Sequence, residues 1–240
     1  MDELLKTASL IRHGKGHNLL KPFLNILFVS VITFAIIKKI YVNLPIPSNF
    51  PIEMIIDFFL NGKFIIPLGF FFLVWVLTSA PSQFIFQWFN DRIGEKQQRK
   101  ILDFSFAEAF TLLGTNKQLK EKLPIQTKRK NWIFDLYEKV SKSIPSKEAA
   151  RMLKQIQRAK FYYTTDFILL IRSIITSIIV FNQSLYFNNY VLAILIMAHV
   201  IMGFLLVFGY QLAAVTPIIV SKLKNEYEEF KRQEEIAKVT

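Results

Sequence analysis

The chain has 240 residues, 30 Lys+Arg against 18 Asp+Glu for a net charge of +12, and a hydrophobic fraction of 52%. That apolar content excludes a disordered chain, and with a mean hydropathy of +0.32 it points to a membrane rather than to a soluble basic domain. The absence of cysteine excludes disulfides, thiolate zinc sites, iron–sulfur clusters and cysteine nucleophiles.

Residues 1–18 form a mixed, charged N-terminal segment. His13 and His17 are four apart, but Gly14 and Gly16 between them disfavour the helix that would converge two metal ligands. No metal site is read from them. Pro22–Ile37 carries no formal charge and extends back to Leu19 past Lys21, whose stem can snorkel. That gives a first membrane span, read as an uncleaved anchor because no small-residue cleavage pattern follows it.

Three prolines between Pro45 and Pro51 then impose an extended outer loop. Ile52–Leu60 follows, with Glu53 and Asp57 on one face of an otherwise apolar stretch, the pattern of a short interfacial helix. Phe64–Phe89 is the second charge-free run, with Pro67 and Pro81 inside it. Residues 19–90 thus make a first transmembrane hairpin.

Residues 91–163 read as a basic helical region. A stripe through Ile101, Leu102, Phe106, Ala109, Phe110 and Leu113 predicts one helix over Asp91–Leu113, ended by Gly114. A second helix is expected over Asn131–Ser143, with Ile133, Phe134, Tyr137 and Val140 in register. Ser146 caps a third, which has no breaker before the third span and should run on as one rod of about 55 Å at 1.5 Å per residue.

Ser173–Ser221 contains no formal charge, which is too long for one span and sufficient for two around the polar turn Phe181–Tyr190. The third span is read as Thr165–Ser184 and the fourth as Tyr190–Ala214, within a second hairpin over 164–220. Pro217 is expected to kink the last helix. Residues 221–240 form a charged C-terminal helix with Leu223, Tyr227 and Phe230 on a stripe.

Orientation follows from loop charge. Residues 1–21, 90–160 and 221–240 carry 26 of the 30 Lys+Arg, and the first outer loop carries only Lys38, Lys39 and Lys63. The positive-inside rule then places both termini and the 91–163 region in the cytoplasm. The expected architecture is an all-α integral membrane protein with four transmembrane helices and a helical cytoplasmic insert between the second and third. Even-numbered spans and strong inside charge suggest a bacterial cytoplasmic (inner) membrane.

Polar residues inside spans are the candidate functional groups. Arg172 is the clearest, and Gln83 and Gln211 fall at a depth where Arg172 can donate to both amides, making an inner-leaflet polar cluster. His199 lies near the midplane of the fourth span, where it can relay a proton or bond a neighbouring carbonyl. Outside the spans, Lys128, Arg129 and Lys130 beside Trp132 are read as contacts to anionic lipid headgroups rather than to nucleic acid.

No catalytic, cofactor-binding or metal-ligating constellation is legible: there is no P-loop, no dinucleotide turn, no HExxH and no Gly-x-Ser-x-Gly. The expected function is therefore non-enzymatic. The chain would act through association with a protein partner, a second copy of itself or lipid, as an accessory subunit, an immunity protein or a membrane effector. The alternative is an oligomeric pore or ion-coupled assembly using Arg172, Gln211 and His199. Stator-type ion-motor subunits share the layout of two spans, insert and two spans, but their pore helices are rich in small residues where these are rich in Ile, Leu and Phe.

Overall fold

A computed structural model describes residues 2–13, 17–40, 64–113, 130–183 and 189–239. Among these residues the chain is all-helical, with seven helices and no strand. The helices are α1 (Asp2–His13), α2 (His17–Ile40), α3 (Ile65–Asp91), α4 (Glu95–Leu113), α5 (Trp132–Ser141), α6 (Ser146–Gln183) and α7 (Asn189–Val239). The expected outer loop and interfacial helix with Glu53 and Asp57, the Gly114 cap, and most of the polar turn before Tyr190 lie outside the described residues.

Helices α2, α3, α6 and α7 are long and apolar enough to cross a membrane, so the four-span reading holds by length and composition. The chain divides into two compact units. Unit one comprises residues 15–84 and 166–201; unit two comprises 1–14, 85–165 and 202–240.

Unit one is centred on Val29 and Ile32 of α2 and Val74 of α3, against which Ile36, Phe71, Trp75, Ile175 and Ile179 pack. Its outward surface is apolar, with Phe23, Phe34, Phe72, Val76 and Ile194 all more than half exposed. Such a surface is stable only against lipid or another apolar surface.

Unit two has a different character. Leu205 to Leu223 of α7 is buried on nearly every side. A helix that is apolar all round belongs at the centre of its surroundings. The buried face of α4 (Ile101, Leu102, Phe106, Ala109 and Phe110) and that of α5 (Trp132, Ile133, Leu136 and Val140) complete the core of the same unit. Helix α1 packs on α4, and its Leu5 and Ala8 are buried. Thr216 of α7 donates to the Glu108 carboxylate of α4 at 3.1 Å.

Three local expectations are sharpened. The helix expected over Asp91–Leu113 is interrupted at Arg92–Gly94. Gly94 favours the break, the buried Ile93 anchors it, and Gln98 bonds back to the Ile93 carbonyl at 3.1 Å. Helix α5 begins one residue after Asn131, whose φ of 60° lies in the left-handed region that Asn tolerates. Helix α7 continues unbroken through Pro217.

Gly209 of α7 is required by a close approach. A Cβ there would stand 2.7 Å from the Tyr163 ring. Tyr163 is 6% exposed and packs on Tyr210 with ring centroids 6.5 Å apart. Gly209→Ala is therefore expected to destabilise the protein by about 1–3 kcal/mol through overpacking. The check is thermal unfolding in detergent, with Gly209→Ala/Tyr163→Leu restoring part of the loss.

Candidate functional site: a buried guanidinium

Arg172 of α6 is 1% exposed, inside unit one. Its Nε donates to Thr78 Oγ1 at 3.0 Å and its Nη1 to Asn25 Oδ1 at 2.5 Å. Its Nη2 donates to Ser79 Oγ at 2.8 Å and to the Trp75 carbonyl at 3.2 Å. The guanidinium carbon also lies 4.1 Å from the centroid of the Trp75 ring, a cation–π contact. One side chain therefore ties together α2, α3 and α6.

The acceptors are oriented in advance. The Thr78 hydroxyl proton goes to the Val74 carbonyl at 2.8 Å, and the Ser79 proton to the Trp75 carbonyl at 2.6 Å. Asn25 Nδ2 is committed to the Lys21 carbonyl at 2.9 Å. Each side chain thus satisfies its own donor within its helix and turns an oxygen lone pair toward Arg172. These partners are neutral, so the positive charge is held by dipoles and a π face. Elsewhere in unit one, Lys21 of α2 and Asp166 of α6 form an ion pair at 2.5 Å, with both side chains less than a fifth exposed.

The sequence-predicted residues distribute differently. The donors that the sequence assigned to the amides of Gln83 and Gln211 go to Asn25, Thr78, Ser79 and Trp75. Gln83 of α3 faces outward. Gln211 is fully buried in unit two and donates to Asn90 Oδ1. Partner choice on a helix depends on rotational phase as well as depth, and sequence spacing alone supplied only depth.

His199 lies in unit one, with Nδ1 2.6 Å from the Leu195 carbonyl and Nε2 3.1 Å from Ser173 Oγ. A carbonyl only accepts, so Nδ1 carries the proton. The Ser173 hydroxyl is the partner of the other ring nitrogen. In unit two, Lys130 is exposed, whereas Trp132 is 1% exposed and belongs to the core of that unit. Lys128 and Arg129 lie outside the described residues.

Asn25, Trp75, Thr78 and Ser79 were not singled out by the sequence as partners of Arg172. Asn25 is the one amide side chain in the charge-free run Pro22–Ile37, which was the available signal. Among the described residues, no group of three His, Asp or Glu side chains converges to hold a metal ion.

No family model, curated protein or solved structure matches this chain.

Proposed function

We propose that this chain is a non-enzymatic, four-span protein of a bacterial inner membrane that acts through association with a partner polypeptide, a second copy or anionic lipid. In this reading both termini and the 91–163 region face the cytoplasm, as the loop charges favour.

The observation that carries the reading is the enclosure of Arg172. A guanidinium that serves chemistry or conduction needs at least one donor directed at a substrate, an ion or a shared axis. Here four of its five N–H donors and the cation–π face are committed to the chain's own helices, and the side chain is buried. The strongest intramembrane charge thus holds the bundle together. The pore alternative would require that same group to face an axis between copies, and its burial at 1% weighs against that. The wide apolar exterior of unit one and the many exposed basic residues suit an association surface and a headgroup layer.

The test is the mass of the complex released gently from its native membrane, read by native mass spectrometry. A small assembly of copies, or an assembly with a second polypeptide or retained anionic lipid, is expected. A bare monomer that retains neither protein nor lipid would overturn the reading. Single-cysteine labelling checks orientation without background, because the natural chain has no cysteine. A cysteine at Lys139 should be protected from a membrane-impermeant maleimide in intact cells.

A further inference from the structure

The lipid-facing side of α3 has a pattern that lipid does not explain. Gly69, Leu73, Val76, Ala80 and Gln83 follow one another at spacings of four, three, four and three, and all five are exposed. Alternation of four and three is the seam of a left-handed helix pair. The face of α3 that packs within unit one, marked by Val74, Thr78 and Ser82, lies on the opposite side of the helix.

Two features set this stripe apart from ordinary lipid-facing surface. First, Gln83 carries an amide, and among the described residues it has no hydrogen-bond partner, although it sits in a helix apolar enough to span. Hydrocarbon offers an amide nothing to bond. Second, an added Cβ at Gly69 meets nothing within 4 Å, so the backbone there is open to close approach. Ala80 keeps the seam low one turn from Gln83, while the flanking Phe72, Leu77 and Phe84 stand 58%, 59% and 79% exposed.

We infer that this face is the seam of a parallel homodimer, with α3 of one copy packed along α3 of a second. The occupant follows from two arguments. Copies of one chain insert with the same orientation, so their α3 helices meet parallel and like positions align. A Gln amide is both donor and acceptor, so Gln83 is complementary to Gln83 of the second copy and fixes the register. Leu73 and Val76 supply packing between the close-approach positions. The inference rests on the four-span association reading above and names its partner as a second copy.

Because the chain has no cysteine, each position from Gly69 to Phe84 can be replaced singly by Cys and oxidised in native membranes. Disulfide-linked dimers are expected to peak at positions 69, 73, 76, 80 and 83 and to fall at 72, 77 and 84. Gln83→Leu in the unmodified chain should weaken self-association about tenfold, measured by energy transfer between labelled copies in liposomes. The scan does not depend on any one variant inserting. Absence of cross-links, or cross-links with another phase, overturns the seam. If native mass spectrometry then shows a different polypeptide bound, the association reading stands and only the seam falls. A bare monomer without protein or lipid removes both.

Discussion

Arg172→Leu lowers the melting temperature of the detergent-solubilised protein by about 6–12 °C, equivalent to about 3 kcal/mol in a chain of this size. Leucine removes four charge-assisted hydrogen bonds and the contact with the Trp75 ring. Part of that loss is offset because the charge no longer has to be buried. The remaining penalty falls on the acceptors. Thr78 and Ser79 keep their helical carbonyl partners, so each loses only a lone-pair contact. Asn25 Oδ1 loses its donor altogether among the hydrogen bonds seen here. The double variant Arg172→Leu/Asn25→Leu should therefore be less destabilised than the two single effects summed, by at least about 1 kcal/mol. Arg172→Lys keeps the charge but replaces a planar fork with a point donor, and it should fall between wild type and Arg172→Leu. Unchanged melting in Arg172→Leu would show that the guanidinium network contributes no net stability, and would reopen Arg172 for a functional role.

The helices after α1 were legible in the sequence because their signals are local and long, whereas α1 lies in a segment read only as mixed and charged. Charge-free runs located all four candidate spans, and the missing breaker between Ser146 and Gln183 announced one continuous helix, as found. The site was only half legible. A lone arginine within an apolar run is conspicuous, but its partners are set by how three helices are rotated about their axes. Depth along the span suggested Gln83 and Gln211; rotation selected Asn25, Thr78 and Ser79 instead. Hydropathy also cannot tell lipid from core. Leu205–Ala214 reads as the inner half of the fourth span, yet those side chains are almost all buried within unit two, and among the described residues the last exposed large apolar side chain of α7 is Phe204. The break at Arg92–Gly94 had a single weak signal, Gly94, inside an otherwise continuous stripe.

Trp132 shows the same ambiguity at a single residue, and its substitution separates two physical roles. Beside Lys128, Arg129 and Lys130 it reads as an interfacial aromatic. Yet Trp132, Leu136 and Val140 also recur at four-residue intervals, which is a core stripe, and the structure buries all three. Trp132→Ala should therefore destabilise the protein by about 3–5 kcal/mol, the range for emptying a large aromatic site. Trp132→Phe should cost far less, because a ring still fills most of the volume. Among the described residues the indole N–H that it removes has no hydrogen-bond partner, so no described bond is lost with it. The paired measurement is thermal unfolding together with binding to vesicles containing phosphatidylglycerol. A core tryptophan gives a large loss of stability in the Ala variant, near wild-type stability in the Phe variant, and unchanged vesicle affinity for the folded Phe variant. A headgroup tryptophan gives the reverse: weakened vesicle binding in the Ala variant at constant melting temperature. The second pattern would contradict the packing of α5, and with it the assignment of Trp132 to the core of unit two. The first would leave the exposed Lys130 as the described member of the basic run that is available to lipid.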